Sequence, residues 1–242
     1  MVSGYTGDTE YAGGGTGMTD KPEIKKENVE TLLETRFIKV FDLQYGPGKH
    51  YYDATRRELE DIIAIKSDEE FKSILPDAVT CFLILCSEKN GPRLYMQYEY
   101  RYPTGQFLLS PPAGLIDPED RERPDALRIT AVREIFEETG VTIKDTDSVF
   151  EVSPMVFSSP GFTDECNALI CAVVYSEDEK NLSQEGAQGS ERFEGYELLS
   201  VDDARCVLSE GRDVNGNFYS VYTWAALIYF VSGMWKEDEQ KR

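Results

Sequence analysis

Histidine, paired cysteines, basic residues and long apolar runs are all scarce in this chain of 242 residues. The one histidine, His50, has no second His or Cys ligand near it in sequence, so it reads as a structural or surface residue. The five cysteines, at 81, 86, 166, 171 and 206, include no C-x-x-C pair and are odd in number. Cys81, Cys86 and Cys171 lie in apolar runs and read as reduced core thiols. No stretch approaches the roughly twenty apolar residues of a membrane span. The opening MVSGYTGDTEY also lacks the basic and apolar regions of a signal peptide. Lys and Arg number 25 against 45 Asp and Glu, a formal charge of −20, which argues against general binding to nucleic acid or anionic membrane. Together these absences point to a cytoplasmic protein.

What is present is an ordinary globular composition, 40% hydrophobic and 12% aromatic, enough for one sizeable core or two small ones. Residues 1–22 are rich in Gly, Thr and Ser and are expected to be a disordered leader. Residues 23–75 read as an N-terminal β-hairpin region. From Glu34 two runs rich in aromatic and β-branched residues flank Tyr45-Gly46-Pro47-Gly48, a turn signal. Residues 76–236 form the main domain and 237–242 a charged tail. The run Ala78–Cys86 is nearly all apolar and predicts a strand buried on both faces, with Arg93–Arg101 as its hairpin partner. Further strands are expected at Phe107–Leu109, Ser148–Val156 and Ala168–Tyr175, an acidic flexible loop over 177–191, and helices over Val201–Leu208 and Ser220–Val231.

The densest chemistry lies in Arg133-Glu134-Ile135-Phe136-Glu137-Glu138-Thr139-Gly140-Val141. On a helix Glu134, Glu137 and Glu138 fall at i, i+3 and i+4 and share one face. Ile129, Val132 and Phe136 keep helical spacing on the other side, which predicts the face buried against a sheet. Gly140 predicts the left-handed stop. Three carboxylates on one face repel unless a cation sits among them, and hard oxygen ligands suit Mg²⁺.

This segment resembles the box of the Nudix hydrolase family, G-x5-E-x7-R-E-U-x-E-E-x-G-U, where U is aliphatic. Arg133 to Val141 matches the second half at every fixed position, and Gly114 supplies the opening glycine. The stretch between Gly114 and Arg133 is five residues longer than in the family. The family's first glutamate therefore falls on Asp125 if the helix register is kept and on Asp120 if the loop register is kept. The segment Tyr100-Arg101-Tyr102-Pro103 leading into Pro112-Ala113-Gly114-Leu115-Ile116-Asp117 is similar to the ADP-ribose and ADP-sugar pyrophosphatase branch. So is Ser159-Pro160-Gly161 downstream, at a longer spacing.

The resemblance implies an α/β/α sandwich with a mixed β-sheet, preceded by a small N-terminal β domain. It implies Mg²⁺-dependent hydrolysis, with Mn²⁺ as substitute, of a nucleoside diphosphate sugar, foremost ADP-ribose to AMP and ribose 5-phosphate. UDP-glucose and GDP-mannose are alternatives, as is a catalytically silent nucleotide-binding domain. Metal ligands would be Glu134, Glu137, Glu138 and the carbonyl of Ala113, with Arg133 orienting the glutamates. Arg101, Pro160 and Gly161 would bind substrate, and Glu194, or Glu191 in its place, would handle the attacking water. The net negative charge does not forbid such a substrate, since a local divalent cation can invert the field where phosphates bind. Partners expected on the same grounds are the nucleotide sugar and a second copy, as a homodimer with exchanged N-terminal strands.

Overall fold

The central strand shows why the longest apolar run of the sequence has no polar side. In the computed structural model, which describes residues 21–175, 182–186 and 191–241, β4 (Ala78–Ser87) sits mid-sheet with helices on both faces. Side chains alternate along a strand. Val79, Cys81, Leu83 and Leu85 accordingly point to one apolar cluster, with Ala131 and Ile135 of helix α2 (Ala126–Thr139). Phe82 and Ile84 point to the other, with Leu227 and Phe230 of α4 (Val221–Ser232), Ala204 of α3 (Val201–Glu210) and Trp235 of α5 (Met234–Gln240). The result is an α/β/α sandwich.

The sheet is mixed. Its main path runs β10 (Phe193–Leu199), β5 (Gly91–Arg101), β4, β9 (Cys166–Tyr175), β8 (Ser148–Phe157). β4 and β9 are parallel, Ala78 opposite Asn167 through Cys86 opposite Tyr175, and the other pairs are antiparallel. β6 (Gln106–Ser110) adds to β5, and β7 (Ala113–Leu115) adds to β4.

Ahead of the sandwich, β1 (Val29–Glu34), β2 (Lys39–Gly46) and β3 (Lys49–Thr55) form a separate antiparallel sheet, followed by the single helical turn α1 (Asp68–Phe71). The β2–β3 turn holds Pro47 and Gly48, the latter at φ 65. This sheet has its own small core of Phe41, Leu43 and Ile62. His50 pairs with Asp42 at 2.7 Å. The Ser158–Glu165 segment ties the two sheets together: the Phe162 carbonyl accepts from the Ala54 N–H at 3.2 Å, and Arg57 pairs with Asp77 at 2.9 Å and Asp164 at 3.6 Å.

One expectation needs correction, and two elements were not foreseen. The buried face of α2 is not Ile129, Val132 and Phe136: Phe136 is 56% exposed, while Glu134 and Glu138 are 5% and 2% exposed beside Ala131 and Ile135. The helix turns its carboxylates inward because strands β5 and β7 offer them hydrogen-bond donors. The strand β1 was not foreseen, since VETLLE has no clear apolar/polar alternation and five of its six residues are exposed. The charged tail continues as helix α5 through Gln240, anchored by the 4%-exposed Trp235. The leader expected at 1–22 lies outside the described residues except for its last two. Of the acidic loop 177–191 only 182–186 and 191 are described.

Candidate active site

Two backbone features place the carboxylates. Gly140 ends α2 at φ 73, its N–H donating to the Phe136 carbonyl at 2.9 Å. On β7, Gly114 lies so close under the helix that a Cβ there would sit 2.0 Å from the Glu134 carboxylate. Glycine is required because the Glu134 carboxylate occupies the space of a side chain.

Glu138 is held more deeply. Its Oε2 accepts from the Gln97 amide at 2.8 Å and from the Ala113 backbone N–H at 3.1 Å. Burial pushes its carboxyl well above the usual range; the Gln97 hydrogen bond opposes this, and Glu99 and Glu134 add to it. Burial likewise raises Glu134 to about 7, against the pull of Arg133 and with help from Glu137 and Glu191.

Arg133 is the bracket between helix and strand. Its guanidinium reaches Glu134 at 2.8 Å, Glu137 and Asp117 each at 3.3 Å, and donates to the Leu115 carbonyl at 3.0 Å. The orienting role expected of Arg133 is thus geometrically available, and Asp117 joins it. Asp120 and Asp125 both pair with Arg123, at 3.6 and 3.5 Å.

Among the described residues no three His, Cys, Asp or Glu side chains already converge as a metal cage. The donor chemistry nevertheless fits a hard divalent cation. Glu134 and Glu138 are buried carboxylates one helical turn apart, both driven toward their neutral form, and the Arg133 guanidinium pairs with Glu134. Buried anions short of positive charge are what such a cation satisfies.

Ala113 and Gly114, the strand that backs these carboxylates, form part of the wall of a cleft of about 510 Å³. Arg101, Glu99, Arg56, Glu165 and Glu191 line the same cleft. The structure thus brings Arg101 into one space with the Ala113–Gly114 wall. Glu191 lines the cleft, whereas Glu194 sits exposed on β10 outside its lining. Pro160 and Gly161 are also outside it: the Gly161 carbonyl accepts from the Tyr51 hydroxyl at 2.9 Å, and Pro160 lines a smaller pocket of about 180 Å³ with Tyr51, Tyr52 and Phe162. Gln97 and Glu99 were not picked out from sequence. Their signal was their place four and two positions before Arg101 on an alternating strand.

A mixed sheet between helix layers, with a glutamate-bearing helix laid over a Pro-Ala-Gly strand, defines a class of fold and site. Residues 75–222 match the NUDIX domain, and the chain belongs to the Nudix family. Among its curated relatives is an ADP-sugar pyrophosphatase of Mus musculus, 30% identical over 125 residues, which are 52% of this chain and 52% of that protein. Another is a methanol dehydrogenase activator of Bacillus methanolicus, 31% identical over 126 residues, 51% of this chain and 60% of that one. The chain thus spans about half the length of the curated relatives it matches. A crystal structure of an ADP compounds hydrolase superposes with a TM-score of 0.54 at 17% identity, over 94% of this chain and 100% of the other, which supports the fold.

Proposed function

We propose that this chain is a divalent-cation-dependent hydrolase of nucleoside diphosphate sugars, with ADP-ribose, split to AMP and ribose 5-phosphate, as its foremost substrate. The observation that carries this reading is the shared cleft: Arg101 on one side, and on the other the Ala113–Gly114 strand that backs Glu138 and Glu134. A guanidinium fork in a cleft whose Ala113–Gly114 wall backs buried carboxylates suits a metal-assisted diphosphate site. The mouse relative's name supports an ADP sugar as substrate.

Glu134, Glu137, Glu138 and the Ala113 carbonyl would hold the cation, with Mg²⁺ foremost and Mn²⁺ as substitute. Such an ion neutralises charge on the diphosphate and lowers the pKa of an attacking water. The chain's own residues do the rest. Gln97 and the Ala113 N–H fix the Glu138 rotamer; Arg133 clamps the helix to β7; Arg101 offers its fork to phosphate. Of the two acids proposed to orient the water, Glu191 has the better position, because it lines the cleft.

We further propose a homodimer with exchanged N-terminal strands. In support, the first sheet leaves Leu32 51%, Leu33 49% and Phe37 68% exposed.

The test is hydrolysis of ADP-ribose, ADP-glucose, UDP-glucose, GDP-mannose, a diadenosine polyphosphate and a nucleoside triphosphate, each with Mg²⁺ and with chelator. The expected result is chelator-sensitive release of AMP, with the highest kcat/KM on ADP-ribose. A higher kcat/KM on UDP-glucose or GDP-mannose would move the substrate assignment. No turnover on any of them, with Mg²⁺ shown to bind, would favour a silent binding domain.

A further inference from the structure

Strand β5 carries three polar side chains on one face, Gln97, Glu99 and Arg101, because its residues alternate. Gln97 is committed to Glu138. Glu99 is committed to Arg101, with Oε2 2.5 Å from the guanidinium. The two partners are unlike: the Glu99 side chain is 12% exposed and that of Arg101 46%. The carboxylate is built into the floor of the cleft, and the arginine leans on it from the rim.

A carboxylate and a phosphate present the same kind of paired anionic oxygens to a guanidinium, at similar distances. The arginine that faces the cleft is therefore already engaged by a group resembling what it would bind. Arg56, the other arginine of the cleft lining, is paired as well, with Glu165 at 3.2 Å.

We propose that Glu99 is a built-in placeholder for a substrate phosphate, a positioning residue that holds Arg101 over the empty cleft and yields it when the diphosphate enters. The exchange breaks one charge-assisted hydrogen bond and makes another. It leaves Glu99 as an uncompensated carboxylate near the incoming anion, so Glu99 weakens substrate binding while keeping the arginine in place. Affinity is set by the difference between the two partners of Arg101 rather than by Arg101 alone. This inference rests on the reading of the cleft as a diphosphate site.

Glu99→Gln keeps the shape and removes the charge. Its KM for ADP-ribose is expected to fall by roughly two- to fivefold, the scale of a partly exposed ion pair, with the effect in KM rather than in kcat. In an Arg101→Ala background the same substitution should lower KM by clearly less, because there is no arginine to release and only the repulsion between Glu99 and the substrate is relieved. A KM that is unchanged or raised in Glu99→Gln overturns the placeholder role. An equal fall in both backgrounds overturns it too, leaving only general repulsion between Glu99 and the substrate. Calorimetric titration of ADP-ribose into the chelator-treated protein separates the two levels of the argument. Wild-type protein that neither binds nor hydrolyses ADP-ribose contradicts the diphosphate site and takes this inference with it, whereas normal binding with no gain in Glu99→Gln contradicts this inference alone.

Discussion

Gly114 fixes more of the site than its size suggests. The Glu134 carboxylate lies where a Cβ would be, 2.0 Å from its ideal position, and Glu134 is clamped on its other side by Arg133 at 2.8 Å. In Gly114→Ala the clash falls on the end of a side chain, so the fold should survive with a loss of about 1–3 kcal/mol. The carboxylate has to move, and kcat/KM should drop by at least about tenfold, the effect of a roughly 1 Å misplacement of a catalytic group. Thermal unfolding read beside kinetics checks both halves; full activity would show that the Glu134 position seen here is not the working one. At this scale the sequence was informative where chemistry and local geometry coincide. Gly140 could be assigned because a helix stop needs positive φ, whereas the orienting role of Arg133 followed from the family resemblance. Gln97, Glu99 and Asp117 were not foreseen, since their roles depend on which strand lies opposite which helix. The motif points to Glu134 and Glu138 but not to the neutral amide that holds one of them.

The elements divide the labour. Helix α2 carries the carboxylates, β5 supplies Gln97, Glu99 and Arg101, and the Ser158–Glu165 segment couples the N-terminal sheet to the sandwich. The hydrophobic pattern of α2 misleads in an instructive way: Phe136 is exposed and Glu134 and Glu138 are buried, which is opposite to what burial of apolar surface alone would choose. The hydrogen bonds that β5 and β7 offer the Glu138 carboxylate outweigh the periodic rule here. The coupling segment carries a second local cost. Asp53 accepts the Asp164 N–H at 3.1 Å, yet its Oδ2 and the Oδ1 of Asp164 are buried with no hydrogen-bond partner among the described residues. Burial, reinforced by Asp164, raises Asp53 to about 6. The folded state therefore binds this proton more tightly than the unfolded state, whose carboxyl titrates near 4. The stability the proton provides is fully present below about pH 4 and is lost as pH rises toward about 6. Asp53→Asn should flatten that slope and raise Tm at pH 7 by roughly 3–6 °C, corresponding to about 1–2 kcal/mol for a chain of this size. Melting curves at pH 4, 5, 6 and 7 decide it; a destabilised Asn variant at pH 7 would mean that the carboxylate has a partner worth more than its burial costs.

At the scale of the whole molecule the sandwich was legible because β4 is apolar on both faces and α4 almost all round, a pattern that only a central strand and a packed helix accommodate. The first sheet was half legible: its β2–β3 hairpin has turn chemistry, whereas β1 draws on contacts its own residues do not announce. No helix among the described residues is long and apolar enough to cross a membrane. The exposed Leu32, Leu33 and Phe37 make the proposed dimer testable. Sedimentation velocity at micromolar concentration should show a species of twice the 27.4 kDa chain mass, and Leu33→Asp should shift it toward monomer; a wild-type monomer at those concentrations would refute strand exchange. The central claim is that the buried carboxylates of α2 are catalytic, and the most direct measurement is ADP-ribose turnover with Mg²⁺ by wild type and by Glu138→Gln. The Gln variant keeps the volume of the side chain and can still accept from Ala113, so it should fold, and its kcat should fall by about two orders of magnitude or more, the scale of losing a metal ligand or its support. Equal turnover by the two proteins would contradict the account.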